Sequence, residues 1–318
     1  MSDEYFLVLD AGTSSIRCSA IRTDGKSISE TQAPWRYRQV ANAPPYAKEF
    51  DTEKVWSTVC KLLRDTINDI KYKPMRIAAV TATSQRQGVV FLDRDSNEVY
   101  AGPNHDSRAV FEGAEIDNNI GKVVYEYSGH TPSMLLAPAK LKWMQIHRPE
   151  CYDKITTTIC LADWLIYRLS GELISEPSLA SEAGLIDIHL RKWKSLQWDG
   201  IPLIDNEHIT LVEAGSVAGR VGQLTSKATG IPKGTPVTVS GADTQCGLLG
   251  MSVTSEADLG IVSGWSSPLQ MITRRPILST SQRTWAACFL MSDRWVVESS
   301  ATDTGNSYKW ISETMIGS

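Results

Sequence analysis

Twice in this chain a short apolar run breaks at a loop of small residues and resumes as a second apolar run. The first instance covers residues 5–21: Tyr5 to Leu9, then Asp10-Ala11-Gly12-Thr13-Ser14-Ser15, then Ile16 to Ile21. The second covers 258–273, with Gly264-Trp265-Ser266-Ser267 between its runs. Short apolar runs bounded by Gly, Ser and Asp read as strands, so each instance predicts a β-hairpin. After the Asp24-Gly25 turn, residues 27–32 can add a third strand. The period then changes. Val55, Val59, Leu62, Leu63, Thr66 and Ile67 recur at helical spacing across 52–70, with Asp51 or Thr52 as N-cap. Strands are expected at 77–83, 89–92, 156–159, 185–188 and 237–240. Helices are expected at 139–146 and at 162–169, the latter stopping at Gly171 where a C-cap glycine belongs. Hairpins first and strands alternating with helices later predict an α/β fold with a mixed sheet.

Composition narrows the class. The 318 residues are 42% hydrophobic and 21% charged, which excludes collagen-like, coiled-coil and strongly disordered chains and suggests about two domains. Net charge is −4 with a pI near 5.8, and no basic run occurs, so a nucleic-acid-binding role is not expected. The six cysteines stand singly with no CxxC pair, and the five histidines form no HExxH. That argues for free thiols in a reducing compartment and against a zinc or redox motif. The start, MSDEYFLVLD, does not read as a signal peptide, and no apolar run is long enough to span a bilayer. A cytoplasmic protein of enzyme size is the expectation.

Three segments carry chemistry. In Asp10-x-Gly12-Thr13-Ser14-Ser15-x-Arg17, a tight loop between strands turns backbone N–H groups and hydroxyls into one concavity, which suits phosphate oxygens; Asp10 could hold a divalent cation. An ordinary Gly/Ser turn would give the same letters. In Gly241-Ala242-Asp243-Thr244-Gln245-Cys246-Gly247, Asp243 follows an apolar strand, and a carboxylate there can take a proton from a hydroxyl. An N-cap aspartate for the next helix is the alternative. The Gly264–Ser267 loop repeats the logic of the first. No Walker A loop and no GxGxxG after a strand occurs.

Taken together, these segments resemble the FGGY family of carbohydrate kinases. Further segments carry the likeness: Tyr46-Ala47-Lys48-Glu49-Phe50-Asp51 with Trp56, Thr81 to Asp93, Pro103-Asn104-His105-Asp106-Ser107-Arg108, Ala137 to Trp143, and Asp163 to Gly171. Ser178 to Asp187 and Gly215 to Gly250 continue it, and residues 251–318 match more loosely. The resemblance implies an actin-like ATPase (ribonuclease H-like) fold, a mixed sheet flanked by helices. It implies a sugar-binding domain over 1–247 and the beginning of an ATP-binding domain over 248–318, left incomplete. Within the family, autoinducer-2 kinases share the Trp35-Arg36, Glu49-Phe50-Asp51 and Asp163-Trp164 neighbourhoods; xylulokinases are the other group considered.

The resemblance also implies roles. Asp243 would be the general base and would meet the substrate. Asp10 would hold Mg²⁺. Gly12, Thr13, Ser14, Ser15 and Arg17 would face the ATP phosphates from one side, and Gly264 and Ser266 from the other. Arg86, Gln87, Asn104 and Asp106 would contact a small sugar-like polyhydroxy carbonyl substrate such as the autoinducer-2 precursor or xylulose. His105 reads as a packing residue. No membrane or nucleic-acid partner is implied, and a homodimer is compatible. The pattern departs in two places. Arg86-Gln87 stands where xylulokinase-like members carry Met-His and glycerol-kinase-like or autoinducer-2-kinase members carry Arg-Glu. Trp265 stands where a threonine is usual, and an indole cannot replace a hydroxyl at a phosphate. A catalytically impaired sugar-binding or regulatory relative is therefore the second reading, and an actin-like ATPase without a sugar the third. The length also implies a chain shorter than whole family members, with its last strands exposed or covered by another chain.

Overall fold

In a computed structural model of the chain, the structure describes residues 4–38, 40, 43–70, 76–193, 201–301 and 304–316. Its centre is a six-stranded mixed sheet in the order Val217–Arg220, Pro236–Ala242, Arg76–Ser84, Glu4–Ala11, Ser15–Arg22, Ser27–Pro34. The first hairpin forms as its sequence requires. Leu7, Leu9 and Ala11 alternate inward on one strand and Ile16, Cys18 and Ala20 on the next, with Leu9 opposite Cys18 and Leu7 opposite Ala20. A one-residue slip would turn both rows outward, so burial fixes the register.

The Thr52–Ile70 helix lies over the outer strands, burying Val55, Val59, Leu62, Leu63 and Ile70. Asp51 Oδ1 accepts from Lys54 N at 3.1 Å, the expected N-cap contact. The Leu161–Ser170 helix packs near the same sheet and ends at Gly171, whose φ of +85° is the left-handed C-cap. A three-stranded sheet places Val89–Leu92 between Glu98–Gly102 and Thr157–Cys160, and all four of its central residues are buried. The second hairpin also forms. Leu259–Ile261 pairs with Ser267–Thr273, which continues into Trp295–Ala301 and Trp285–Cys288 as a four-stranded antiparallel sheet.

The helix expected at 139–146 forms as Ala137–His147, with every residue from Ala137 to Met144 buried. The Glu98–Gly102 strand and the Gln223–Thr229 helix form in positions where no element was expected, and the Trp285–Cys288 strand, among the last strands expected to be exposed or covered by another chain, is buried against this chain's own Ala180, Ile186 and Ile188. The strands at 285–288 and 295–301 are joined to the rest by a dense seam. Ala286 N donates to Gly129 O at 3.0 Å, and Cys288 N donates to Ser181 Oγ at 3.1 Å. Trp285 Nε1 donates to Thr131 O at 2.6 Å and Trp295 Nε1 to Ile188 O at 2.7 Å. Ala286 and Cys288 share one apolar cluster with Ala180, Ile186 and Ile188. Among the described residues, no helix is long and apolar enough to cross a membrane.

Candidate active site

Strand direction builds the site. Both Glu4–Ala11 and Pro236–Ala242 run parallel to Arg76–Ser84, with Ala11 and Ala242 each in register with Ser84. The carboxyl ends of three adjacent strands therefore open on one edge of the sheet, the position where open α/β sheets bind ligands. The residues that follow those ends are the Gly12–Ser14 loop, Gln85-Arg86-Gln87, and Asp243. All but Gln85 line a cleft of about 550 Å³ together with Asp10, Arg17, Asn104 and His105, and with Val262 to Ser266 from the second hairpin. A groove of about 680 Å³ lies elsewhere, along the 27–34 strand and the first long helix. Its polar side chains include the surface pair Lys61 and Asp65, and nothing converges there as it does in the smaller cleft.

The first loop is held from behind. Gly12 O accepts from Trp35 Nε1 at 2.6 Å and Gln85 Nε2 at 3.1 Å. Thr13 O accepts from Tyr37 Oη at 3.1 Å, and Ser14 O from Trp35 N at 3.2 Å. Asn104 Nδ2 donates to Thr13 Oγ1 at 3.0 Å, while its own N donates to Gln85 Oε1 at 2.9 Å. All three loop carbonyls are thus occupied by protein donors. That keeps their negative ends engaged away from any anion in the cleft.

Asp243 opens the Asp243–Gly250 helix rather than capping it. Ala242 occupies the N-cap, and among the described residues Asp243 Oδ1 accepts the adjacent Thr244 N, at 2.8 Å. Burial pushes its carboxyl up to about 7; Arg86 pulls it down, and Asp10 and Glu182 push it further up. Burial also raises the Asp10 carboxyl, with Arg17 opposing. Two carboxylates thus share the cleft, and among the described residues neither is ion-paired. Their oxygens suit a hard divalent cation. No cluster of three or more ligating His, Cys, Asp or Glu occurs among the described residues. Mg²⁺, which keeps several waters and leans on one or two carboxylates plus substrate phosphates, fits such a donor set.

Arg86 lies on the cleft floor, buried. Its Nη1 is 3.1 Å from Glu182 Oε1 and 2.5 Å from Glu298 Oε2, and its Nη2 is 3.0 Å from Glu298 Oε1. Gln87 follows with φ of +60°, a conformation non-glycine residues seldom adopt, and its buried Nε2 has no partner. Strain and an orphaned donor at a cleft wall mark a functional position. Across the cleft, Trp265 stacks on His105, ring centroids 6.2 Å apart and planes 20° apart. Burial and Lys48 hold His105 down at about 4, so the ring is neutral near pH 7.

Two expected site residues lie elsewhere. Ser15 is absent from the cleft lining, and its Oγ accepts from Gln32 Nε2 at 2.6 Å on the neighbouring strand. Asp106 is buried behind the wall. It accepts from Tyr100 Oη and Arg108 Nε at 2.6 Å each and from Lys48 N at 2.9 Å. That carboxylate is committed to holding Arg108, whose Nη1 also meets Glu49 at 2.8 Å. In return, the structure brings Thr244, Trp285 and Ser300 to the lining and Glu182 and Glu298 to Arg86. Glu182 lies within the 178–187 segment singled out from the sequence; Glu298 carried no signal.

The model for the FGGY family of carbohydrate kinases, N-terminal domain, matches residues 5–250. The chain belongs to the FGGY family of carbohydrate kinases. Autoinducer-2 kinase from Salmonella paratyphi A is 34% identical over 267 residues, covering 83% of this chain and 50% of that protein. Autoinducer-2 kinase from Escherichia coli K12 is 35% identical over the same span and shares. This FGGY chain therefore spans about half the length of the curated relatives it matches. Among solved structures, ligand-bound xylulose kinase from Lactobacillus acidophilus superposes with a TM-score of 0.88 at 17% identity, covering 98% of this chain and 62% of that one. Plasmodium falciparum glycerol kinase with ADP gives 0.86 at 18%, covering 98% and 64%. The fold is that of the FGGY sugar kinases, the actin-like ATPase architecture expected from the resemblance.

Proposed function

We propose that this chain takes part in ATP-dependent phosphoryl transfer to a hydroxyl of a small sugar or sugar-like polyhydroxy carbonyl compound, the autoinducer-2 precursor or a ketose such as xylulose being the favoured candidates. The observation that carries this reading is the convergence of three parallel strand ends, which brings a paired-loop cradle, a polar floor and a half-buried carboxylate to one cleft. Asp243 accepts the proton of the attacking hydroxyl as its oxygen bonds to the γ-phosphorus and the bond to ADP breaks. A carboxyl with its pKa near 7 is well matched to that exchange at neutral pH. Gly12, Thr13, Ser14 and Arg17 face the phosphates from one side, and Gly264 and Ser266 from the other. Gln87 and Asn104 contact the acceptor, and Arg86 orders the floor beneath it. Asp10, with Asp243 near, would hold Mg²⁺, which supplies neutralisation of the phosphate charge.

Incubation with ATP, Mg²⁺ and a panel of ketoses and the autoinducer-2 precursor, followed by mass detection of a phosphorylated product, tests the reading. Turnover that persists unchanged in Asp243→Asn would overturn it. The second reading, a sugar-binding relative impaired in catalysis, is favoured by Trp265, whose indole occupies the second phosphate loop and stacks on His105. Calorimetry separates the two: sugar binding with neither ATP binding nor turnover selects the second.

A further inference from the structure

An arginine on a ligand-cleft floor suggests recognition of an anionic substituent. Here its charge is already consumed. Glu298 takes Arg86 through both terminal nitrogens, and Glu182 takes Nη1 as well, both carboxylates being buried. These carboxylates are themselves fixed. Gln270 Nε2 donates to Glu298 Oε2 at 2.8 Å, and His130 Nε2 lies 3.0 Å from Glu182 Oε2. The Trp285 ring, 5.8 Å from the guanidinium, adds a further wall. Two buried carboxylates against one guanidinium leave this floor without surplus positive charge, and Asp243 stands beside it. Of the other cleft-lining bases, His105 is neutral near pH 7, and Arg17, on the phosphate-loop side, lies 3.5 Å from Glu30. What the floor does offer is the unpartnered, buried Gln87 Nε2, a neutral donor. Such a donor can meet a hydroxyl or carbonyl oxygen, but it brings no counter-charge to offset the cost of taking a carboxylate out of water.

We infer that the cleft selects an electrically neutral polyol or carbonyl acceptor over a sugar acid or sugar phosphate, and that Glu298 sets this selectivity by keeping the Arg86 cation occupied. The inference rests on the sugar-cleft reading above and deepens it. Glu298 is a positioning residue acting through Arg86, while Gln87 touches the acceptor directly. Relieving one carboxylate would release a guanidinium face toward the cleft and admit an anion.

The test is calorimetric titration of the full chain with xylulose and xylitol against xylonate, a five-carbon acid of matched size. In the unaltered protein, at least one neutral ligand should bind at least tenfold more tightly than xylonate. Glu298→Gln, checked for native circular dichroism, should narrow that ratio at least tenfold by gaining xylonate affinity. A merely structural role would weaken all ligands together and leave the ratio unchanged, which would overturn the inference. Should that variant not fold, Glu182→Gln carries the same readout from the other side of the guanidinium. Xylonate binding equal to or tighter than the neutral ligands in the unaltered protein overturns the charge selectivity while leaving the sugar cleft standing. If neither ligand class binds, the sugar-cleft reading itself falls, and the selectivity with it.

Discussion

Asp243→Asn is expected to remove activity and raise stability at the same time. The carboxyl is raised from 3.8 to about 7, first by burial and then by Asp10 and Glu182, against Arg86 and Thr244 N. Ionising it in the folded chain therefore costs free energy. About three pK units at about 1.4 kcal/mol each set an upper bound of about 4 kcal/mol above pH 7. The side chain is only partly buried, so an observed gain of about 2–4 kcal/mol at pH 8 is expected. The folded pKa lies above the unfolded one, so the native state holds the proton more tightly. Wild-type stability therefore rises as pH falls from about 7 toward 4 through this group, and the asparagine variant lacks that slope. The gap between them should be widest at pH 8, shrink by about 1.4 kcal/mol per unit below pH 7, and close near pH 4. Thermal melts across pH 4–8 read this directly; at about 2 °C per kcal/mol the variant should melt roughly 4–8 °C higher at pH 8. Phosphoryl transfer should fall about 10²–10⁴-fold, the usual worth of a general base. Equal melting at pH 8, or a gap independent of pH, would refute the argument that an unpaired, enclosed charge is held there.

Other outcomes follow from the same structure. Arg108→Met should cost about 3–5 kcal/mol in urea unfolding, because Asp106 loses its buried counter-charge, while Glu49 keeps Arg38 and Arg148. Gly129→Ala should lower the melting midpoint, costing about 1–3 kcal/mol or more. An added Cβ would stand 2.0 Å from Ala286 O at a residue whose φ is +72°. Burial raises the Cys18 thiol to about 11 and the Cys288 thiol to about 12. A maleimide at pH 7.5 should therefore label Cys151 in the folded protein and reach Cys18 and Cys288 only after denaturation, as peptide mass mapping would show.

The parts of the fold legible in the sequence are those whose burial is periodic. Alternation in Tyr5 to Ala11 and Ile16 to Ala20 sets a half-buried hairpin, and the 52–70 spacing sets a one-sided helix. The Ala137–His147 helix was legible too, over 139–146, although it buries Lys140, whose Nζ donates to Leu135 O at 2.8 Å. Elements that exist through pairing leave no such trace. The Glu98–Gly102 strand exists through its pairing with Val89–Leu92. At the site, Asp10, the small-residue loop and Asp243 were legible because each follows a recognisable strand. Glu298 was not, because its partner lies 212 positions away and only folding joins them. Asp106 shows the converse. Its letters suit a sugar contact, and the structure instead uses both its oxygens to anchor Arg108 and the Lys48 backbone.

The seam between the 285–301 strands and the rest bears on how this polypeptide can be dissected. Cutting the chain after residue 247 would strip donors from the carbonyls of Gly129, Thr131 and Ile188 and open the apolar socket that Ala286 and Cys288 fill. The excised first part would then carry a raw, sticky face rather than a finished surface. An expression fragment designed at that point would be prone to self-association, whereas one that retains the strands through Ala301 keeps the face covered.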